Sequence, residues 1–194
     1  MKSPNPIYIQ DVFSEIVAKV NTEMLPALEA LNLAKGYNLT GVHYQYGTGL
    51  EIIETLSQMS QNDSEMDKYP LICLFLDVNE TFGTEAGVYS EIPTLRMAII
   101  NSTDMNFKAY QRDDENFKPI LTPIYQCLLR RMHTEGAFMF NGLGFEHDAK
   151  RNYFWGREGL YGKEGSIFND RLDAIEITFR NLKIYSSYCT TVQY

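Results

Sequence analysis

Tyr69-Pro70-Leu71-Ile72-Cys73-Leu74-Phe75-Leu76-Asp77-Val78 is the stretch whose reading decides the fold. Leu71 to Leu76 are apolar without interruption. A half-buried strand alternates apolar and polar residues, whereas a run with no alternation is buried on both faces. The run is too short for most helices and suits a strand. Pro70 can begin a strand but would not sit inside a central one. Residues 69–78 therefore read as a central strand, and the rest of the chain must supply cover for two faces.

Upstream, Val12, Phe13, Ile16, Val17, Val20 and Met24 fall on one helical face, so the spacing predicts a helix over residues 9–24. Pro26 limits it, although Ala27 to Leu33 can add a turn before Lys35-Gly36 ends the section. Residues 37–46 alternate, with Val42, Tyr44 and Tyr46 facing one way, and predict a strand. Thr48-Gly49-Leu50-Glu51 has the form of a capping box and opens a helix over about 49–60. Downstream, residues 79–93 are polar, contain Gly83 and Gly87, and read as a long loop before a strand over Thr94–Asn101.

Residues 112–132 hold the strongest helical stripe: Phe117, Ile120, Leu121, Ile124, Leu128 and Met132. Pro119 and Pro123 lie inside it. Proline is tolerated in a first turn and disruptive later, so the expectation is a kink or a true start at Thr122/Pro123, with 113–121 as a looser lead-in. Residues 173–185 form the last strand. Its apolar side chains occupy odd positions (Ile175, Ile177, Phe179) and then even ones (Leu182, Ile184). Side chains alternate with period two, so this switch predicts a bulge or pairing break near Arg180-Asn181. Residues 133–172, rich in glycine and aromatics, read as an inserted arm or hairpin. The expectation is one α+β domain over residues 1–194: a central, mostly antiparallel sheet flanked by helices, with a long glycine/aromatic-rich arm at 133–172.

The chain has 194 residues, 44% of them hydrophobic, which is ample for a core. It carries 17 Lys and Arg against 25 Asp and Glu, a net charge of −8, which argues against gripping DNA because tight phosphate binding needs basic clusters. Three cysteines, Cys73, Cys127 and Cys189, read as reduced thiols. Met1 to Pro6 hold no apolar signal core, and no run approaches the ~18 residues of a membrane span, so no membrane association is expected.

Catalytic signatures are absent from the pattern of residues. His147-Asp148 invites a metal or general-base reading, yet His43 and His133 are far away in sequence and no ligand set forms, so neither a metal nor another cofactor is expected. Cys73 and Cys127 lie in apolar stripes and read as core. Asp113-Asp114-Glu115 sit where negative charge favours a helix start. Gly47-Thr48-Gly49 lacks the spacing of a phosphate loop. The unusual constellation is the aromatic density of 136–168. So large an apolar area on an arm marks an interface, with Phe138, Phe140, Tyr153, Phe154, Trp155, Arg157 and Phe168 as its candidate residues.

The order helix, strand, helix, buried strand, strand, proline-bearing helix, arm, final strand resembles the small α+β ring proteins of tailed-phage necks and tails, the tail-terminator and tail-completion or connector group. Local wording is similar to neck- and tail-associated proteins of phages with Bacteroides-like hosts: Tyr69-Pro-Leu-Ile72, Phe117-Lys-Pro-Ile-Leu-Thr-Pro-Ile-Tyr125, Tyr153-Phe-Trp-Gly156, Phe168-Asn-Asp170 and Asp173-Ala-Ile-Glu-Ile177. The resemblance implies a non-enzymatic virion protein. It would form a homo-oligomeric ring, six-fold or a multiple, that joins adjacent neck or tail proteins while DNA passes through unbound. The 133–172 segment is longer than such compact proteins need. The competing expectation is an intracellular α+β enzyme or small-molecule-binding domain, for which His43, Arg112, His147 and Asp148 are the only candidates.

Overall fold

The computed structural model describes residues 8–61, 68–83, 86–104, 106–139, 144–155 and 171–185. Its elements are α1 (Ile9–Lys35), β1 (His43–Gly47), α2 (Gly49–Gln61), β2 (Leu71–Phe75), β3 (Thr81–Phe82), β4 (Val88–Ser102), α3 (Ala109–Arg112), a π-helical segment (Asp113–Leu121), α4 (Thr122–Thr134), β5 (Phe138–Met139), β6 (Glu146–Asn152) and β7 (Leu172–Tyr185). They build a seven-stranded sheet in the order β1-β2-β4-β7-β5, with β3 beside β4 and β6 beside β7. Only β1 and β2 are parallel, joined through α2; the other pairs are antiparallel. The class is α+β, as the sequence implies.

The central strand is β2, and its two faces feed two cores. Ile72 and Leu74 point into the larger one, with Met97 and Ile99 of β4, Ile175 and Ile177 of β7, and the apolar stripes of α1 and α4. Leu71 and Cys73 point the other way, to Ala98, Ile100, Ala174, and Ile52 and Leu56 of α2. Leu74 is fully buried, a burial that stabilises by about 1.5–3 kcal/mol.

Three expectations meet a different structure. Pro26 does not end α1, which continues to Lys35 and closes on Gly36 in the left-handed conformation, whose N–H donates to the Asn32 carbonyl. An interior proline costs about 3 kcal/mol. Burying Met24 and Leu28 on the continuing stripe offsets it, at about 1.5–3 kcal/mol for each side chain. Second, the strand expected over 37–46 is reduced to β1. Its lead-in is held by Asn21 of α1, whose Oδ1 accepts the Val42 N–H at 2.8 Å. Gly41 is required there, because a Cβ on it would lie 2.6 Å from that oxygen. Third, the loop expected over 79–93 contains β3 and the start of β4, which pair as Thr81↔Glu91 and Phe82↔Ser90.

The proline-bearing helix resolves as the spacing suggests. Residues 113–121 are π-helical, Pro119 lies inside them, and α4 starts at Thr122 with Pro123 in its first turn, where a missing N–H costs nothing. The wider π turn carries its bonds five residues back, as in Thr122 N–H to Phe117 O. The parity switch in β7 also has its counterpart. Pairing passes from Thr94↔Arg180 to Ile92↔Leu182, stepping over Pro93 and Asn181 without a change of register. Pro93 has no N–H to give, Asn181 adopts φ 51°, and Phe179 and Leu182 both end in the larger core.

In the expected arm, the described residues hold the end of α4, the strands β5 and β6, and a turn over 153–155. β5 and β6 line the edge of β7, pairing with 183–184 and 174–180 respectively. Residues 140–143 and 156–170 lie outside the described residues.

Candidate functional site

The most unusual chemistry lies at the end of the sheet where β4 and β7 meet α3. Period two puts Asp173 on the same face as Ile175, Ile177 and Phe179, and opposite Asn101 in the ladder. An ionised carboxylate on a core face needs a partner. The partner is Arg112, the last residue of α3: Nη1 donates to Asp173 Oδ1 at 2.6 Å, with side-chain exposures of 1% and 0%. The remaining guanidinium donors reach backbone, Nε to Phe107 O (3.0 Å) and Nη2 to Asp104 O (2.9 Å). The Phe154 ring lies over the guanidinium at 3.2 Å. Phe154 has φ 56°, a conformation that costs a non-glycine residue about 1–2 kcal/mol. It delivers both its ring to Arg112 and its N–H to Asp173 Oδ1.

The ion pair sets the polarity of a short relay. Asp173 Oδ2 can only accept, so Asn116 presents Nδ2 to it at 3.0 Å. Asn116 Oδ1 therefore faces Asn101 and accepts from its Nδ2 at 2.9 Å. What is left over is Asn101 Oδ1, a buried acceptor with no donor among the described residues, joined two residues later by Thr103 Oγ1, likewise without a partner among them. Both residues line a cleft of about 280 Å³, with Tyr37, Leu39, Tyr69, Phe107 and Ile120 among its other walls. Glu115 stands at its rim. Lys35 and the Tyr37 hydroxyl donate to its carboxylate, both at 2.6 Å, and hold its pKa below the usual glutamate value.

The residues singled out by sequence fall elsewhere, except Arg112. His147 Nε2 accepts from the Tyr125 hydroxyl at 2.6 Å while Nδ1 faces Phe145 O, Asp148 pairs with Arg180, and His43 meets Thr40 Oγ1. No four-way site forms from His43, Arg112, His147 and Asp148. Cys73 and Cys127 are buried, and burial pushes the Cys73 thiol far up, away from nucleophile chemistry. Among the described residues no three of His, Cys, Asp and Glu gather as a metal site needs.

Of the interface candidates, Phe138 is buried against Phe13. Tyr153 packs on Phe117 and donates to Asp113, and Phe154 covers Arg112. Trp155 packs on the smaller core and donates from Nε1 to Glu176 Oε1 at 2.7 Å. Phe140, Arg157 and Phe168 lie outside the described residues.

Among the described residues no helix is long and apolar enough to cross a membrane. Compared with known proteins, the chain matches no family model, no curated protein and no solved structure.

Proposed function

We propose that this chain is a structural subunit of a homo-oligomeric ring in the neck or tail of a tailed phage, surrounding the DNA path and joining adjacent components. The observation that supports it best is that three of the six exposed large apolar side chains among the described residues lie by one flank of the sheet, the others being Tyr8, Leu33 and Tyr110. β1 and β3 edge the sheet on the same flank of β4, and Tyr46, Leu50 and Phe82 beside them are 49%, 73% and 58% exposed. The faces of β2 are covered from both sides within the chain, so association falls to the edges. A ring needs a heterologous contact, one patch of each copy against a different patch of the next. The flank supplies one such patch. The described aromatics of the 133–155 stretch pack within their own chain, which moves the contact from them to this flank. The net charge of −8 suits a conduit that lets DNA pass rather than holding it.

Native mass spectrometry with negative-stain imaging tests this. A ring appears at a multiple of 22.3 kDa, and Leu50→Asp with Phe82→Asp leaves a folded monomer. A wild-type monomer that neither self-associates on concentration nor joins purified tails overturns the proposal. A second reading, a small-molecule-binding domain, is favoured by the buried, unmet acceptor of Asn101, a residue of the cleft wall. The two are compatible, since neither Tyr46 nor Phe82 lines the cleft.

A further inference from the structure

We infer that the cleft beneath Tyr37 and Tyr69 is a binding site for a small, neutral ligand carrying a carboxamide edge on an apolar body, whether or not the chain forms a ring. The first ground is the orphaned acceptor. Asn101 is 4% exposed and its Oδ1 has no donor. A buried acceptor left unmet costs about 1–3 kcal/mol, and native chains keep few of them without a use. Its role is not adjustable: the Arg112–Asp173 pair orients Asn116, Asn116 orients Asn101, and turning the Asn101 amide would set oxygen against oxygen. The ligand must therefore donate.

The second ground is the neighbouring Thr103 Oγ1, also without a partner. Its hydroxyl hydrogen is free to turn, so it can donate to a carbonyl. A carboxamide presents an N–H donor and a C=O acceptor on one planar edge, the chemical complement of an acceptor and a hydroxyl carried by two residues of the cleft wall. The third ground is the remaining lining. Leu39, Tyr69, Phe107 and Ile120 offer apolar and aromatic walls, and the volume of about 280 Å³ suits a compact ligand. The Glu115 carboxylate, whose pKa its hydrogen bonds hold low, disfavours an anion. Both oxygens are almost wholly covered, so binding requires the cleft lining to open onto them.

The probe is benzamide, with benzoate as the isostere that cannot donate. In calorimetric titration and amide-detected NMR of the full chain, benzamide should bind saturably and move the Asn101 side-chain amide signal, while benzoate does neither. Thr103→Val removes the unpartnered hydroxyl at nearly constant shape. It should melt at or above the wild-type temperature without ligand and bind benzamide about three- to tenfold more weakly, the worth of one hydrogen bond. Three results overturn the inference: no saturable benzamide binding, equal binding of benzoate, or unchanged affinity in Thr103→Val. The first would mean that water alone meets Asn101. None of the three bears on assembly, which native mass reads separately.

Discussion

Replacing Arg112 by Met tests the buried ion pair and the relay built on it. Methionine keeps most of the stem volume and removes the charge. Asp173 then stays at 0% exposure without its cation, although Asn116 Nδ2 and the Phe154 N–H still donate to it. Breaking one partner of a buried pair costs about 3–5 kcal/mol. The two retained donors place the expected loss at the lower end, about 3–4 kcal/mol. The carbonyls of Phe107 and Asp104 lose their donors too, but both residues line the cleft. Water can reach there, so they add little. Against a total stability of about 5–15 kcal/mol, the variant should unfold at markedly lower urea with an unchanged slope. The double variant Arg112→Met/Asp173→Leu should recover part of the loss, with a coupling of about 1–3 kcal/mol. Urea unfolding followed by far-UV circular dichroism measures all three proteins. Additive losses within about 0.5 kcal/mol would show that the pair is not coupled and that Asp173 does not depend on Arg112.

Pro26→Ala should stabilise the protein by about 1–3 kcal/mol, because Pro26 is exposed and the new N–H can reach the Thr22 carbonyl within α1; a loss on urea unfolding would count against the continuous helix. Thr48→Ala should cost about 1 kcal/mol by removing the acceptor of the Glu51 N–H, and a midpoint unchanged in urea would show that this cap is idle. Glu115 has its folded pKa held below the ordinary value of 4.5 by Lys35 and Tyr37, so its contribution is present above that value and lost as pH falls through the folded pKa. Glu115→Gln should therefore flatten the acid side of the stability profile below about pH 5 and leave the slope near neutrality unchanged, as thermal melts across pH would record.

The fold was legible where one physical rule acted alone. Leu71–Leu76 reads as doubly covered because alternation has a single cause, and β2 sends Ile72 and Leu74 to one core and Leu71 and Cys73 to the other. Thr48 and Glu51 are three residues apart, so their bonds are local and could be read off. Rules in competition misled. At Pro26 backbone chemistry argues for a stop while the apolar stripe argues for continuation, and the stripe prevails through tertiary burial. At Pro93 the missing N–H argues for a loop boundary, while the burial pattern on either side argues for a continuous strand. Buried Val88, Ser90 and Ile92 on one side of it, and Leu95 and Met97 on the other, show the same parity switch as β7. The two switches face each other across the ladder, so each strand's irregularity accommodates the other's.

The site divides in the same way. Leu172-Asp173-Ala174-Ile175 places an acid in register with Ile175, Ile177 and Phe179. That alone demands a buried donor, because an uncompensated carboxylate on a core face would cost a large fraction of the total stability. The sequence thus contains the need for a partner. It does not contain the choice. Arg112 lies 61 residues away, and no periodicity links them; they meet only because the π-helical segment carries α3 across the end of β7. Nor is the leftover acceptor legible, since Asn101 looks like any polar residue at the end of a strand. Its unmet oxygen exists only because the relay direction was fixed at Asp173 and passed through Asn116. Replacing Asn101 would remove that oxygen but also the Nδ2 that donates to the buried Asn116 Oδ1, so the relay leaves one acceptor unmet at this end of the sheet either way, at a cost of about 1–3 kcal/mol, until a donor from outside the chain reaches it.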